Sequence, residues 1–408
     1  MVTPEAPRTG SAAMTSGIFS PSPRVFRVLL RGITAGLVLL SVAMAAQGLR
    51  HAWSLDGDVD MQSRLAEYSA FRQGVYPTRS IETQIPAGMR VPTTVYPPYA
   101  LPMFAPFFEP FGKLQGRIVV EVLSLLSLIA MAAYGHRLLR DRGPAAAGLG
   151  AVAALAISGN GNTLALGQFS ILCAGALLMQ IVALERGRPL AAGVWWAVAM
   201  LKPQVGLAFA GLFIVRREWR GLACGLAILL VLSLLACWWT GVSPLAVFGY
   251  WTFKMNMRFA APSSIPGRVA EAIGVHPRLL HLATAFLLVL VPLWAPKRVP
   301  AALADPLTVG GFASILGGTL LYHLFYDNVM MFPLLFVALA AAAHSPTPGR
   351  LAIAAILGLS LWTPERLLAS LPLGWLVRPV TWVACGASLV AASVTTRSSI
   401  GELLRRRR

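Results

Sequence analysis

The sequence predicts an all-α integral membrane protein: a polytopic helical bundle with about twelve transmembrane helices and a large first extracytoplasmic loop that carries juxtamembrane helices. Three observations predict it. The 408 residues are 56% hydrophobic and only 12% charged, and their mean hydropathy of +0.67 is far from that of a soluble globular domain. Apolar runs of membrane-crossing length recur along the chain. The formal charge of +18 sits in short connectors and in the Arg405–Arg408 tail. That is the pattern of loops facing an anionic leaflet, and no helix-turn-helix, RRM or zinc-knuckle pattern points to nucleic acid.

Residues 1–24 read as a polar, disordered cytoplasmic tail, with Arg24, Arg27 and Arg31 ahead of an apolar run of about 20 residues. That run is too long for a signal-peptide core and reads as an uncleaved signal anchor. Residues 25–394 form the transmembrane domain, and 395–408 a basic cytoplasmic tail. At 1.5 Å per residue and ~30 Å of hydrocarbon, spans centre near residues 37, 127, 151, 176, 195, 209, 231, 286, 314, 336, 357 and 384. Arg137, Arg140 and Arg142, Arg186 and Arg188, Arg216, Arg217 and Arg220, and Lys297 and Arg298 mark one side as cytoplasmic. The other connectors then face outward: 47–116, 159–168, the turn Lys202-Pro203-Gln204, 240–277, 322–328 and 363–373. Nearly every polar oddity falls on that outward side.

Within the first outer loop, 49–115, Met61–Gln73 has the pattern of an interfacial amphipathic helix ended by Gly74-Val75-Tyr76-Pro77. Tyr96-Pro97-Pro98-Tyr99 opens a second short helix over Ala100–Phe111. A second large outer loop spans 241–277. The four cysteines, Cys173, Cys224, Cys237 and Cys385, lie in or at the ends of apolar helices without CxxC spacing, so neither a disulfide framework nor a zinc site is expected.

Half of the aspartates fall within five residues, Asp56, Asp58 and Asp60, just beyond the first span. In an extended segment alternating carboxylates share one face. Crowding and partial burial then raise the proton affinity of at least one, toward a useful general base. Asp60 is the candidate base, with Asp58 assisting or substituting. The plain alternative is a hydrated loop in which Asp60 caps the following helix. A divalent ion is the other use of such an oxygen cluster, but no second acidic cluster completes a site. No metal and no cofactor is expected.

Lys202 is the only lysine between Lys113 and Lys254. It reads as a point charge for a phosphate or as a snorkelling lysine at a helix end. His323 and Asp327 share a face if helical, so that Asp327 orients an imidazole; otherwise Asp327 caps the next span and His323 fills the interface. Tyr322 and Tyr326 offer rings for sugar stacking or belong to the interfacial belt. Asn160, Asn162 and Gln168 bond sugar hydroxyls or tie helices together. Arg258 and Arg268 are phosphate ligands or solvated loop arginines, and Glu365-Arg366 reads as a local ion pair.

Asp60 is followed fourteen residues later by Gly74-Val75-Tyr76-Pro77; then come Tyr96-Pro97-Pro98, Gly167-Gln168, Lys202-Pro203, and Tyr322-His323 with Tyr326-Asp327. In these motifs, and over roughly residues 30–390, the chain resembles the GT-C membrane glycosyltransferases, most closely glycosyltransferase family 87. It departs at Arg64 and Leu65, where family members often carry Tyr, and at Pro262–Gly267, where a polar Asn-Gln-Ser stretch is expected. The resemblance implies a GT-C-like bundle, a sugar donor on polyprenyl phosphate drawn from the outer leaflet, and an acidic base after the first span. The chain is then expected to be an inverting hexosyltransferase, mannose favoured, that glycosylates a lipid- or glycan-linked hydroxyl. Lys202, His323 and Arg268 would hold the donor phosphate; Gln168, Tyr96, Tyr326, Asp327 and Asn162 would line the sugar or acceptor pocket.

Expected partners are the polyprenyl-phosphate-sugar donor, the lipid or glycan acceptor and the membrane, with no nucleic acid and no protein partner. The expected location is the plasma membrane, multi-pass, with both termini cytoplasmic and the active site extracytoplasmic. The competing class is a lipid or polysaccharide transporter or flippase without glycosyl-transfer chemistry. It requires polar residues at mid-membrane depths and related halves, and the sequence shows no internal repeat.

Overall fold

A computed structural model describes residues 23–54, 59–78, 94–109, 112–250, 264–275, 284, 305–321, 324–371 and 374–395. Every regular element among them is helical. After α1 (Pro23–Ala52) come α2 (Val59–Arg72), the single turns α3 (Ala100–Met103) and α4 (Ala105–Phe108), and the long α5 (Gly112–Leu139). The middle of the chain holds α6 (Pro144–Ala153), α7 (Asn160–Leu166), α8 (Ser170–Glu185), α9 (Pro189–Ala199), α10 (Pro203–Gly206), α11 (Ala210–Arg216), α12 (Trp219–Thr240) and α13 (Pro244–Gly249). Then follow α14 (Ile265–Ala272), α15 (Pro306–Leu320), a 3₁₀ segment Phe325–Met331, α16 (Phe332–His344), α17 (Pro348–Trp362), α18 (Glu365–Ala369) and α19 (Gly374–Thr395).

Proline sets many of the starts. Pro144, Pro189, Pro203, Pro244, Pro306 and Pro348 each occupy a first-turn position, where the missing N–H has no intrahelical partner to lose. Side-chain caps assist at Ser264, Asp305 and Thr347, whose oxygens accept from the backbone N–H three residues on.

The predicted span centre near 286 lies outside the described residues; the others fall on helices. Only four of the described helical stretches are long and apolar enough to cross a membrane: Val28–Ala52, Gly116–Arg142, Trp219–Thr240 and Phe325–His344. The other apolar helices have 10–17 residues, short of the roughly 20 a full crossing needs. Proline starts and breaks such as 154–159 cut the apolar runs into these shorter helices. The interfacial helix expected over 61–73 is α2, and the expected helix over 100–111 is two turns interrupted at Phe104.

Burial separates the four long helices. In α1 only 6% of the most apolar stretch is buried, whereas 89% of the stretch at Phe325–His344 is enclosed. Leu39, Val42, Leu230 and Trp238 therefore face outward, as side chains do against lipid, while Phe332, Leu335 and Phe336 form the centre of the main core with Phe169, Leu177 and Met131. Where helices meet, small residues let backbones touch. A methyl on Gly135, Gly193 or Gly48 would run into the carbonyl of Gly150, Gly221 or Gly161, respectively. Lipid tails are as apolar as leucine, so close packing of this kind, more than apolar burial, holds such helices together.

Candidate active site

The polar core begins at the first turn of α2. Asp60, Arg64 and Glu67 are spaced four and three residues apart, so they share one helix face. Asp60 is half-buried, and its Oδ2 accepts a short hydrogen bond from the Gln168 amide. Asp56 and Asp58 lie outside the described residues, as do Tyr322 and His323 and the loop holding Arg258.

Gln168 is delivered by local geometry. α7 ends at Gly167, in the left-handed conformation at φ 67°, which glycine adopts without the Cβ clash other residues meet. A Cβ there would also stand 2.9 Å from the Cβ of Met61, the residue after Asp60. Gly167 thus brings its strand of backbone against α2 and turns Gln168 to the carboxylate.

Beyond Gln168 the network continues inward. Lys202, 1% exposed, donates to Gln168 Oε1 at 3.0 Å, Ser170 Oγ at 2.7 Å and Asp327 Oδ1 at 2.6 Å. Ser170 Oγ donates to the same Asp327 oxygen at 2.6 Å, and Asp327 Oδ2 accepts from the Leu324 backbone N–H at 3.3 Å. The Tyr326 ring lies 4.7 Å from Lys202 Nζ, within cation–π range. An ammonium offers only donors, so Gln168 must present Oε1 to it and its NH₂ to Asp60. Lys202 and Asp327 therefore fix which way the Gln168 amide faces and aim a donor at one oxygen of the Asp60 carboxylate. Among the described residues Asp60 Oδ1 has no partner.

This placement settles several alternatives. Lys202 does not snorkel; it is buried and its three N–H groups are all engaged within the protein. A phosphate-binding role would require it to exchange one of them. Asp327 is the counter-ion of Lys202. Asn160 Nδ2 donates to the carbonyls of Ala154 and Leu155, which is the helix-tying role. Asn162, assigned to the pocket from sequence, is exposed and takes no part in the network. Glu365 pairs with Arg378 of α19, not with its neighbour Arg366, because adjacent residues on a helix point in different directions.

Tyr96 is buried beneath Arg64, whose guanidinium carbon lies 4.5 Å from the ring centroid. Arg64 also ion-pairs with Glu67 at 2.9 Å and donates to the Asp60 carbonyl at 3.4 Å. Glu67 accepts from Thr94 Oγ1 at 3.0 Å, and that hydroxyl oxygen accepts from the Tyr96 N–H at 3.1 Å. Burial pushes the Glu67 carboxyl up from 4.5 to about 7, against the opposing pull of Arg64 and Thr94. Arg64, Glu67 and Ser170 were not singled out as site residues from sequence. The i, i+4, i+7 spacing from Asp60 was the available signal for the first two, and proximity to Gln168 for the third.

Arg268 is not part of this network. It lines a separate cavity with Ser264, Leu324, Asn328, Glu365 and Arg378. The Asp60–Lys202 network and this cavity together take their polar members from all six connectors predicted to share one side of the membrane.

No curated protein matches the chain. Among solved structures, the crystal structure of ArnT from Cupriavidus metallidurans bound to undecaprenyl phosphate is similar, with a TM-score of 0.45 and 21% identity over 92% of this chain and 73% of that one. The sequence profile of glycosyltransferase family 87 matches residues 94–326, more than half of the chain. That interval contains Tyr96, Gln168, Ser170, Lys202 and Tyr326, while Asp60 precedes it and Asp327 follows it by one residue. A glycosyltransferase assignment displaces the transporter alternative. Buried, converging and drawn from distant connectors, these residues sit in a chain that belongs to glycosyltransferase family 87.

Proposed function

We propose that the protein is a GT-C-type inverting hexosyltransferase of the plasma membrane that moves a sugar, mannose favoured, from a polyprenyl phosphate to a lipid- or glycan-linked hydroxyl. The active site opens on the extracytoplasmic side and both termini are cytoplasmic. The observation that carries the reading is the Asp60 carboxylate, held at one oxygen by a Gln168 amide that the Lys202–Asp327 pair locks in place.

Asp60 Oδ1 removes the proton from the acceptor hydroxyl as its oxygen forms a bond to the sugar C1. The C1–O bond to phosphate breaks, and its electron pair leaves on polyprenyl phosphate, a group stable enough to depart without a general acid. Arg268 and His323 are the candidates to neutralise that phosphate, and Lys202 joins them only by releasing a present partner. Tyr96, beneath Arg64, and Tyr326, beside Lys202, are the candidates to line the sugar pocket. Mannose and the polyprenyl carrier rest on the family resemblance. The lipid-facing flank of α1, largely unburied, and the lack of a Gly-rich nucleotide loop in the sequence support a membrane-delivered donor.

The test is purified protein in lipid with radiolabelled polyprenyl-phosphate-mannose, scored for donor hydrolysis or transfer. Asp60→Asn is expected to abolish turnover while leaving the melting profile unchanged; full activity in that variant overturns the assignment.

A further inference from the structure

Arg64 stands between two carboxylates of its own helix and pairs with the less expected one. An aspartate four residues ahead of an arginine is an ordinary helical ion pair. Yet Arg64 meets Asp60 only at its backbone carbonyl, 3.4 Å from Nε, and its Nη1 lies 2.9 Å from Glu67 Oε1. Glu67 is held for that contact from its other oxygen, which accepts from Thr94 Oγ1 at 3.0 Å. Thr94 is itself fixed, its N–H donating to the Pro77 carbonyl at 2.8 Å. The Tyr96 ring 4.5 Å from the guanidinium carbon completes the seat.

Both members of the pair are closed to solvent, Arg64 8% and Glu67 1% exposed, so a guanidinium that loses its counter-ion here must find another. Asp60 is the other carboxylate on this helix face, one turn away, and its Oδ1 has no partner among the described residues. An arginine on Oδ1 would occupy the oxygen that has to receive the acceptor proton, and would weaken it as a base. We infer that Glu67 is a positioning residue: by holding Arg64 it keeps that cation off the Asp60 carboxylate and leaves the base open to the acceptor hydroxyl. This deepens the proposed function and rests on Asp60 being its base. Glu67 itself touches neither substrate nor reacting atom.

Protons open the pair. Burial pushes the Glu67 carboxyl up to about 7, Asp60 adding to the rise while Arg64 and Thr94 oppose it. The phenols that act on the cluster, Tyr76 and Tyr96, are pushed up by burial and stay neutral. Above pH 7 Glu67 is charged and holds Arg64; as pH falls through that value it takes up a proton and releases Arg64 toward Asp60. Turnover then follows the titration of a residue that takes no part in the chemistry.

The test is turnover of radiolabelled polyprenyl-phosphate-mannose by the full-length protein in lipid, at about pH 8.5 and about pH 5.5, on either side of that titration. Glu67→Gln keeps the shape and an oxygen for Thr94, so it is expected to fold. At the higher pH its kcat should fall about tenfold with KM little changed; at the lower pH it should match the parent, whose own Glu67 is then neutral. Adding Arg64→Gln should restore kcat to within about threefold of the parent at the higher pH and carry activity to lower pH than the parent. If Glu67 only ties residues 94–96 to α2, the loss is the same at both pH values and the second substitution does not repair it; that result overturns the inference. A parent profile with no inflection near 7 overturns it without any variant. Asp60→Asn separates the two levels: turnover that survives it removes the base and this inference together, whereas a dead Asp60→Asn beside an unaffected Glu67→Gln removes the inference alone.

Discussion

Asp327 and Asn328 are consecutive, equally buried and similar in shape, yet their hydrogen-bond accounts are opposite. Asp327 engages Lys202, Ser170 and the Leu324 backbone, while neither polar atom of the Asn328 side chain has a hydrogen-bond partner among the described residues. The first side chain is complete without a ligand and so serves geometry. The second is incomplete and so invites one. A 3₁₀ turn makes the division possible, since successive residues on it point about a third of a turn apart.

The comparison breaks most visibly at Asp327. Asp327→Asn leaves Lys202 buried beside a neutral amide, with an expected loss of about 3–5 kcal/mol in thermal or denaturant unfolding, and transfer should vanish with it. Combining Asp327→Leu with Lys202→Met removes both charges, and stability should recover to within about 1 kcal/mol of the parent or above it. Activity should not recover, which separates the fold's need for the pair from the base's need for it.

Gln168→Leu keeps the ion pair and cuts its connection to Asp60. Turnover is expected to drop roughly 100-fold for a stability change of about 1 kcal/mol, measured on the same preparation. Glu67→Gln probes the carboxyl on the far side of Asp60. Because its folded pKa is raised from 4.5 to about 7, the folded chain holds a proton that the unfolded chain releases in that interval. Its stabilisation is full below pH 4.5 and is lost as pH rises through 7. The variant should flatten that part of the stability–pH profile; an unaltered slope would show that another group titrates. The smallest effect belongs to Asn328→Leu, whose unfolding free energy without ligand should stay within about 1 kcal/mol of the parent or rise.

Asp60, Gln168 and Lys202, which the structure joins in one network, stood out in the sequence because each is a rare polar residue at a marked position: after a span, after a glycine, before a proline. Asp327 was also legible, but its partner was not. Its carboxylate turns to a lysine 125 residues away, a distance that no local spacing reports, while His323 lies outside the described residues. Glu365 failed for a related reason, since its partner lies across a helix pair and not beside it. Asn328 gave no signal, because an asparagine bonded to its neighbours and one left vacant read alike in one dimension. Hydropathy did not report where proline and glycine divide apolar runs into shorter helices, so among the described residues four helices, not twelve, have full crossing length.

One contact far from the chemistry governs its alignment. Gly48 of α1 meets the Gly161 carbonyl of α7 with no room for a methyl between them. α1 leads on to Asp60, and α7 ends at the turn that presents Gln168. The two halves of the Asp60–Gln168 hydrogen bond thus follow from helices that meet at a single pair of hydrogen-sized residues. Any side chain added at that joint becomes a wedge, prising the carboxylate from its amide from a position that touches neither substrate.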